Sequence, residues 1–204
     1  MTATPDKQHS GRRRITVFGA GAWGTALAQA FSAAHEVCLW GRDAEHLRAL
    51  ALTHENRRYL PDIRLSNALH FETDFSHAAR GADLHLVVTP LAGLRDAARA
   101  LHRLQPGTPL LWACKGLEAG SGRLPHEIVA EELGDAAASG VLTGPSFAAE
   151  VARGLPTAIT LAAADAAFAH HWVAALHQPR LRIYANTDVV GCEIGGAVKN
   201  VMAI

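Results

Sequence analysis

Neither sign of charge is in excess in this chain of 204 residues, where 19 Lys and Arg balance 19 Asp and Glu. Such neutrality lacks the basic footprint that a phosphate backbone requires, so nucleic-acid binding is not expected. No apolar run is both long and continuous enough to span a bilayer, so no membrane insertion is expected. Cysteine is scarce: Cys38, Cys114 and Cys192 are odd in number, widely spaced and set in apolar segments, which predicts buried free thiols rather than a disulfide framework. The 12 histidines form no ligand pattern. His170 and His171, being adjacent, would face different sides of a helix, and no metal site is expected. With 49% hydrophobic and 19% charged residues, the composition is that of a compact cytoplasmic protein.

Arg12-Arg13-Arg14, followed by an apolar stretch and Ser32-Ala33-Ala34, superficially resembles a twin-arginine leader. Glycines and Gln29 interrupt the apolar run, and a strand, a turn and a helix account for all of these residues where a leader accounts for only some. Residues 1 to 13 read as a disordered tail.

Along the rest of the chain apolar runs alternate with helical patterns, the rhythm of a parallel sheet. Strands are predicted at Arg14 to Phe18, Glu36 to Trp40, Ala68 to Phe71, Leu84 to Thr89, Pro109 to Ala113, Gly140 to Thr143, Thr157 to Leu161 and Leu181 to Tyr184. Helices are predicted at Trp23 to Ala33, Ala44 to Leu52, Phe75 to Ala79, Leu91 to His102, Pro125 to Leu133 and Asp165 to Leu176. Continuous runs such as Leu84-His-Leu-Val-Val88 are what strands covered on both faces look like. The expected fold is α/β, a Rossmann-like doubly wound, mostly parallel sheet, whose ligands would sit outside the carboxyl ends of the strands.

The glycines carry the most chemistry. Gly19-Ala-Gly-Ala-Trp-Gly24 lies between the first strand and the first helix. Gly19 would permit the tight turn, Gly21 would leave room for a cofactor pyrophosphate to reach the backbone, and Gly24 would let the helix pack closely. Free N–H groups at the helix start would complete an anion site. At the end of the second strand comes Arg42-Asp43. An acidic residue here suits the ribose hydroxyls of NAD, whereas Arg42 offers a planar, permanently charged fork for the extra phosphate of NADP. NADP, or use of both cofactors, is therefore favoured over strict NAD. The competing reading makes Arg42 a solvated turn residue and Asp43 a helix cap.

After the fifth strand, Lys115-Gly116 places an amine where the crevice should be, although a surface lysine would read the same way. Gly144-Pro-Ser-Phe-Ala148 follows the sixth strand. With Gly144 as N-cap and Pro145 as first helical residue, the N–H groups of Ser146, Phe147 and Ala148 would point at the crevice. A nucleophile elbow is a poor alternative, because Ala148 stands where its second glycine belongs. In Asp188-Val-Val-Gly-Cys-Glu-Ile-Gly-Gly-Ala-Val-Lys-Asn200, otherwise helical, Gly195 and Gly196 each cost about 1 kcal/mol relative to alanine. They either clear a pocket for Lys199, desolvating its amine, or allow close helix packing.

In order and spacing these motifs, together with Asn56-Arg-Arg-Tyr-Leu-Pro61, Lys115-Gly-Leu-Glu118 and Gly154-Leu-Pro-Thr157, resemble the bacterial-type NAD(P)-dependent glycerol-3-phosphate dehydrogenases. The likeness covers Ile15 to Ile204. It implies an oxidoreductase that moves hydride reversibly between NAD(P)(H) and C2 of dihydroxyacetone phosphate or sn-glycerol 3-phosphate, feeding phospholipid synthesis. By the same resemblance Lys199 is the proton acceptor, and Lys115 touches both cofactor and substrate. Ala22, Trp23, Arg42 and Ala148 fall on cofactor-binding positions, and Gly144 and Ser146 on substrate-binding ones. Where the family commonly has proline then serine, this chain has Thr89-Pro90-Leu91.

The expected division is a cofactor domain over residues 14 to 187 and the start of a helical substrate domain over 188 to 204. The chain is expected to be a fragment that binds cofactor but turns over poorly, its phosphate-anchoring arginine lying beyond Ile204. A homodimer is compatible with this reading. Another hydroxyacid dehydrogenase of the same fold, or a cofactor-binding module without catalysis, remain as rivals.

Overall fold

The computed structural model describes residues 11–134 and 137–202, with side chains as far as Val198. The chain runs β1 (Arg14–Phe18), α1 (Ala22–Phe31), β2 (Glu36–Trp40), α2 (Ala44–Thr53), a hairpin of β3 (Glu55–Asn56) and β4 (Leu60–Arg64), then β5 (Leu69–Glu72), α3 (Phe75–Ala79) and β6 (Leu84–Val87). It continues through a 3-10 turn at Leu91–Gly93, α4 (Leu94–Leu104), β7 (Leu110–Trp112), α5 (Pro125–Leu133), β8 (Ser139–Thr143), α6 (Ala148–Ala152), β9 (Thr157–Ala162), α7 (Ala166–Leu176), β10 (Leu181–Asn186) and α8 (Val189–Met202).

Eight strands form one sheet in the order β10-β9-β8-β7-β6-β1-β2-β5. All neighbours are parallel except β8 and β9. The doubly wound, mostly parallel architecture expected from the sequence is therefore present. From β1 the chain winds outward through β2 to β5, then returns to β6 and winds the other way, so the order of strands reverses between β1 and β6. That reversal opens a crevice at the carboxyl ends, the usual ligand position in such sheets.

Successive side chains on a strand point to opposite faces, and the two apolar clusters follow that rule. Ile15, Val17, Leu84, Leu86 and Leu111 join the layer beneath α1, whereas Phe18, Val87, Leu110 and Trp112 join the layer beneath α4 and α5. Covered on both faces, β6 is buried at every position. Its His85 is held neutral by burial, below its ordinary pKa, and bonds the Ala79 carbonyl at 2.9 Å. Asp43, Asp74 and Asp165 cap α2, α3 and α7 by accepting bonds from backbone N–H groups of the first turns, which satisfies donors that no helix can satisfy internally.

Most boundaries agree with the sequence reading to within a few residues, and several differences are physical. The predicted helix from Leu91 begins as the 3-10 turn. The β3–β4 hairpin went unpredicted, because β3 has only two residues and Pro61 and Asp62 break the alternation of β4. Helix α6 starts at Ala148 with Phe147 as N-cap, which corrects the expectation that Gly144 caps a helix begun by Pro145. At Gly144 the chain is still pressed on β9, where a Cβ would lie 3.0 Å from the Ile159 Cα, so coiling begins only later. Arg12 and Arg13, expected in the tail, are tied to His35: the Arg13 N–H donates to its ring Nδ1 at 3.2 Å, and Arg12 Nη2 donates to its carbonyl at 3.4 Å. The rest of the expected tail, residues 1 to 10, lies outside the described residues. Cys114 is buried, but Cys38 and Cys192 are only partly so.

Candidate functional site

The turn after β1 is built for close approach. Its Gly19 N–H donates to the Trp40 carbonyl at 2.8 Å, and across the crevice the Val88 N–H donates to the Phe18 carbonyl at 2.8 Å. Gly19 has φ 130°, and a Cβ there would lie 2.5 Å from the Val88 oxygen. A Cβ on Gly24 would overlap the Gly19 carbonyl oxygen, so α1 can start against the turn only because this residue has no side chain. Above Gly21 there is open space, with nothing within 4 Å of an added Cβ. Beneath the turn, the fully buried Asn56 donates from Nδ2 to the Ala20 carbonyl at 3.0 Å and to Thr25 Oγ1 at 2.8 Å. The short hairpin thus reaches over and fixes the glycine turn.

A cavity of about 790 Å³ opens over this turn at the strand reversal, lined by Gly19, Gly21, Arg42, Tyr59, Thr89 and Asp96 among others. Its volume lies within the range of small-molecule and cofactor clefts. Exposed Arg42 is on its wall while Asp43 caps α2, so both halves of the sequence alternative for this pair are compatible. Tyr59 also lines it, with the Arg58 guanidinium 5.1 Å from its ring centroid and the His46 ring edge-on at 5.4 Å. In the sequence Arg58 and Tyr59 stood out only as part of a motif and His46 not at all; the hairpin brings Tyr59 to the cavity wall and Arg58 to Asp43, while His46 comes from α2.

Ala22, Trp23 and Gly24 form the first turn of α1. Trp23 and Ala148 pack against the core cluster on the α1 side, and α1 lies against α6. These residues flank the cavity without lining it.

A second group gathers at the ends of β7 and β8. Exposed Lys115 follows β7, and its stem approaches α8: a Cβ on Gly196 would lie 3.9 Å from Lys115 Cδ and 2.7 Å from Thr143 Oγ1. Gly195, next in the chain, has nothing within 4 Å. Only one of the paired glycines is therefore needed for close approach, and what it admits is β8 and Lys115. Gly144 adjoins Thr143, and Ser146 stands partly buried two residues on. Lys199 is three residues beyond Gly196 on α8, and its side chain lies outside the described residues.

Two devices hold the Lys115 loop and α8. Glu118 in the loop makes a bidentate pair with Arg95 of α4, Nε to Oε1 and Nη2 to Oε2 both at 2.8 Å, and accepts from Ser121 Oγ at 2.6 Å. Arg95 first and Ser121 second hold the Glu118 carboxyl down at about 2. Arg95 also donates to Glu131 and Glu132 of α5. In α8, Glu193 is 4% exposed. It accepts the Trp112 indole N–H at 2.9 Å and the His126 backbone N–H at 2.9 Å, and its second oxygen shares a hydrogen bond of 2.6 Å with the His126 ring Nδ1. Burial raises its pKa despite these bonds. Deleting the carboxylate would strand the buried Trp112 indole N–H, at about 1–3 kcal/mol. The sequence signal for Glu193 is an acidic residue set among apolar and glycine positions of a helix.

Residues 14–169 match the family described as NAD-dependent glycerol-3-phosphate dehydrogenase N-terminus. The chain belongs to this family. A glycerol-3-phosphate dehydrogenase [NAD(P)+] of Aromatoleum aromaticum is 72% identical over 191 residues, and one of Dechloromonas aromatica is 54% identical; each alignment covers 94% of this chain and 58% of the relative. The chain thus spans about three fifths of the length of the dehydrogenases it matches. The crystal structure of the glycerol-3-phosphate dehydrogenase from Coxiella burnetii superposes with a TM-score of 0.86 at 36% identity, covering 94% of this chain and 59% of that one. The family resemblance drawn from the motifs is thereby established, and so is the fold it implied.

Proposed function

We propose that this chain is the cofactor-binding part of a cytoplasmic dehydrogenase that moves hydride reversibly between NADPH or NADH and C2 of dihydroxyacetone phosphate or sn-glycerol 3-phosphate, supplying glycerol 3-phosphate for phospholipid synthesis. The observation that carries the reading is the Gly19–Gly24 turn at the strand reversal, open above Gly21 and bordered by Arg42. The residues fit the cofactor: a side chain at Gly21 would project into the space a pyrophosphate needs, and the N–H groups of the first turn of α1 would face the anion there.

When bound, the nicotinamide supplies or receives the hydride. Gly19, Gly21, Ala22, Trp23 and Gly24 seat the cofactor's phosphates, Arg42 holds the additional phosphate of NADPH, and Ala148 contacts the cofactor from α6. Gly144 and Ser146 contact the substrate at the ends of the strands. As the ketone oxygen gains negative charge, Lys115 stabilises it electrostatically and Lys199 gives it a proton, taking the proton back in the reverse direction.

Two measurements test the proposal. Fluorescence titration should show saturable binding of NADPH, and absence of binding for both NADPH and NADH would refute the cofactor site. In a dihydroxyacetone phosphate reduction assay of the full-length enzyme, Lys199→Ala should lower turnover by about 10²–10⁴-fold, the range of general acid–base catalysis, with cofactor affinity nearly unchanged. Turnover surviving within about tenfold would remove Lys199 from that role.

A further inference from the structure

Glu193 stands apart from every residue assigned above. It lies on α8, three residues before Gly196, and its carboxylate is buried where α8 meets two other elements. One contact is to Trp112, the last residue of β7, three positions before Lys115. The others are to the backbone and ring of His126 in the first turn of α5. A carboxylate at a helix N-terminus is favoured by the helix dipole and by donors that have no partner within the helix. Three bonds from two elements fix the carboxylate in space, and through it the rotation and height of α8 over the sheet. The outcome is visible one turn on, where Gly196 sits against Thr143 and the Lys115 stem with no room for a methyl group.

We propose that Glu193 is a positioning residue of the two-lysine site, its buried carboxylate tying α8 to β7 and α5 and so holding Gly196 against Thr143 and Lys115. The inference rests on the reading of Lys115 and Lys199 as residues of the reaction, but its geometric content can be measured separately. Asparagine would not serve at this position, because a side chain one carbon shorter cannot reach Trp112 and His126 together. Glutamine would serve in part, since its oxygen can accept from both the indole and the backbone N–H.

The chain contains three lysines, Lys7, Lys115 and Lys199, so protein labelled with carbon-13 at lysine Cε gives an assignable NMR spectrum. Glu193→Asp and Trp112→Phe should each displace the Lys115 and Lys199 resonances while leaving Lys7 unmoved, and Glu193→Gln should return both close to their original positions. The Trp112 indole proton, far downfield while bonded to a carboxylate, should move upfield in Glu193→Asp and Glu193→Gln. A role in stability alone would lower the melting temperature but leave both lysine resonances in place in the folded variants, and that result would overturn the proposal. If Glu193→Asp does not fold, Trp112→Phe decides by the same criterion. Turnover of dihydroxyacetone phosphate by the full-length enzyme, followed in parallel, tests the reaction itself: displaced lysines together with a full-length enzyme that shows no turnover would uphold the positioning role and reject the reading of the reaction.

Discussion

Arg42 and Asp43 are neighbours in the chain with different work. Asp43 is committed to the first turn of α2 through the His46 N–H and also meets Arg58 at 3.4 Å, whereas Arg42 faces the cavity. Substituting Arg42 with alanine should weaken NADPH binding by about tenfold or more, because a charge-assisted hydrogen bond contributes about 1.5–3 kcal/mol, and should leave NADH nearly unaffected. Equal weakening toward both, measured by titration, would reject the phosphate assignment. At this scale the sequence was legible where a residue's value lies in its own shape: Gly19, Gly21 and Gly24 could be read because absence of a Cβ is a local property. Asn56, Glu193 and Trp112 were not read as site residues, because their importance lies in partners 31 to 81 positions away.

Helix α8 separates two causes for glycine. Gly195 is exposed and touches nothing, so Gly195→Ala should stabilise the fold by about 1 kcal/mol, the helix-propensity difference. Gly196→Ala gains the same propensity, but its methyl would meet Thr143 Oγ1 at 2.7 Å. Thr143 is buried, and its β-branched side chain turns with difficulty. Overpacking of about 1–3 kcal/mol should therefore prevail. Thermal melts check the pair: for a chain of this length each kcal/mol moves the midpoint by about 2–4 °C, upward for Gly195→Ala and downward for Gly196→Ala. A rise in both would mean that α8 is not seated on β8. The loop carrying Lys115 obeys similar logic, since Arg95 grips Glu118 with both planar edges aligned. A guanidinium can do this and an ammonium cannot.

Across the whole molecule, pH acts through groups of opposite sign. Burial holds His35 and His85 below their ordinary 6.5, so their stabilising contribution is full above that value and is lost as pH falls through the lower folded values. Arg95 and Ser121 hold Glu118 at about 2; its contribution is present above 4.5 and is lost between 4.5 and 2. Glu193 runs the other way, its raised value favouring the protonated form, so its contribution fades as pH rises above 4.5. The melting temperature should fall on acidification below 6.5, and His85→Gln should flatten that decline. An unchanged slope in calorimetric scans at a series of pH values would show that His85 is not charged on unfolding.

The amino-acid order by itself determined the alternation of strands and helices and the glycine turn, because hydrophobic periodicity and the lack of a side chain are written in contiguous residues, whereas the strand order that reverses between β1 and β6 came from the fold. Only the tertiary structure decided that the β3–β4 hairpin brings Asn56 beneath the turn and Tyr59 beside Arg42, that Gly196 alone is pressed on β8, and that Glu193 joins α8 to β7. Those relations depend on chain crossings between distant segments, where burial makes each unpaired polar group costly and leaves only one arrangement that satisfies them together.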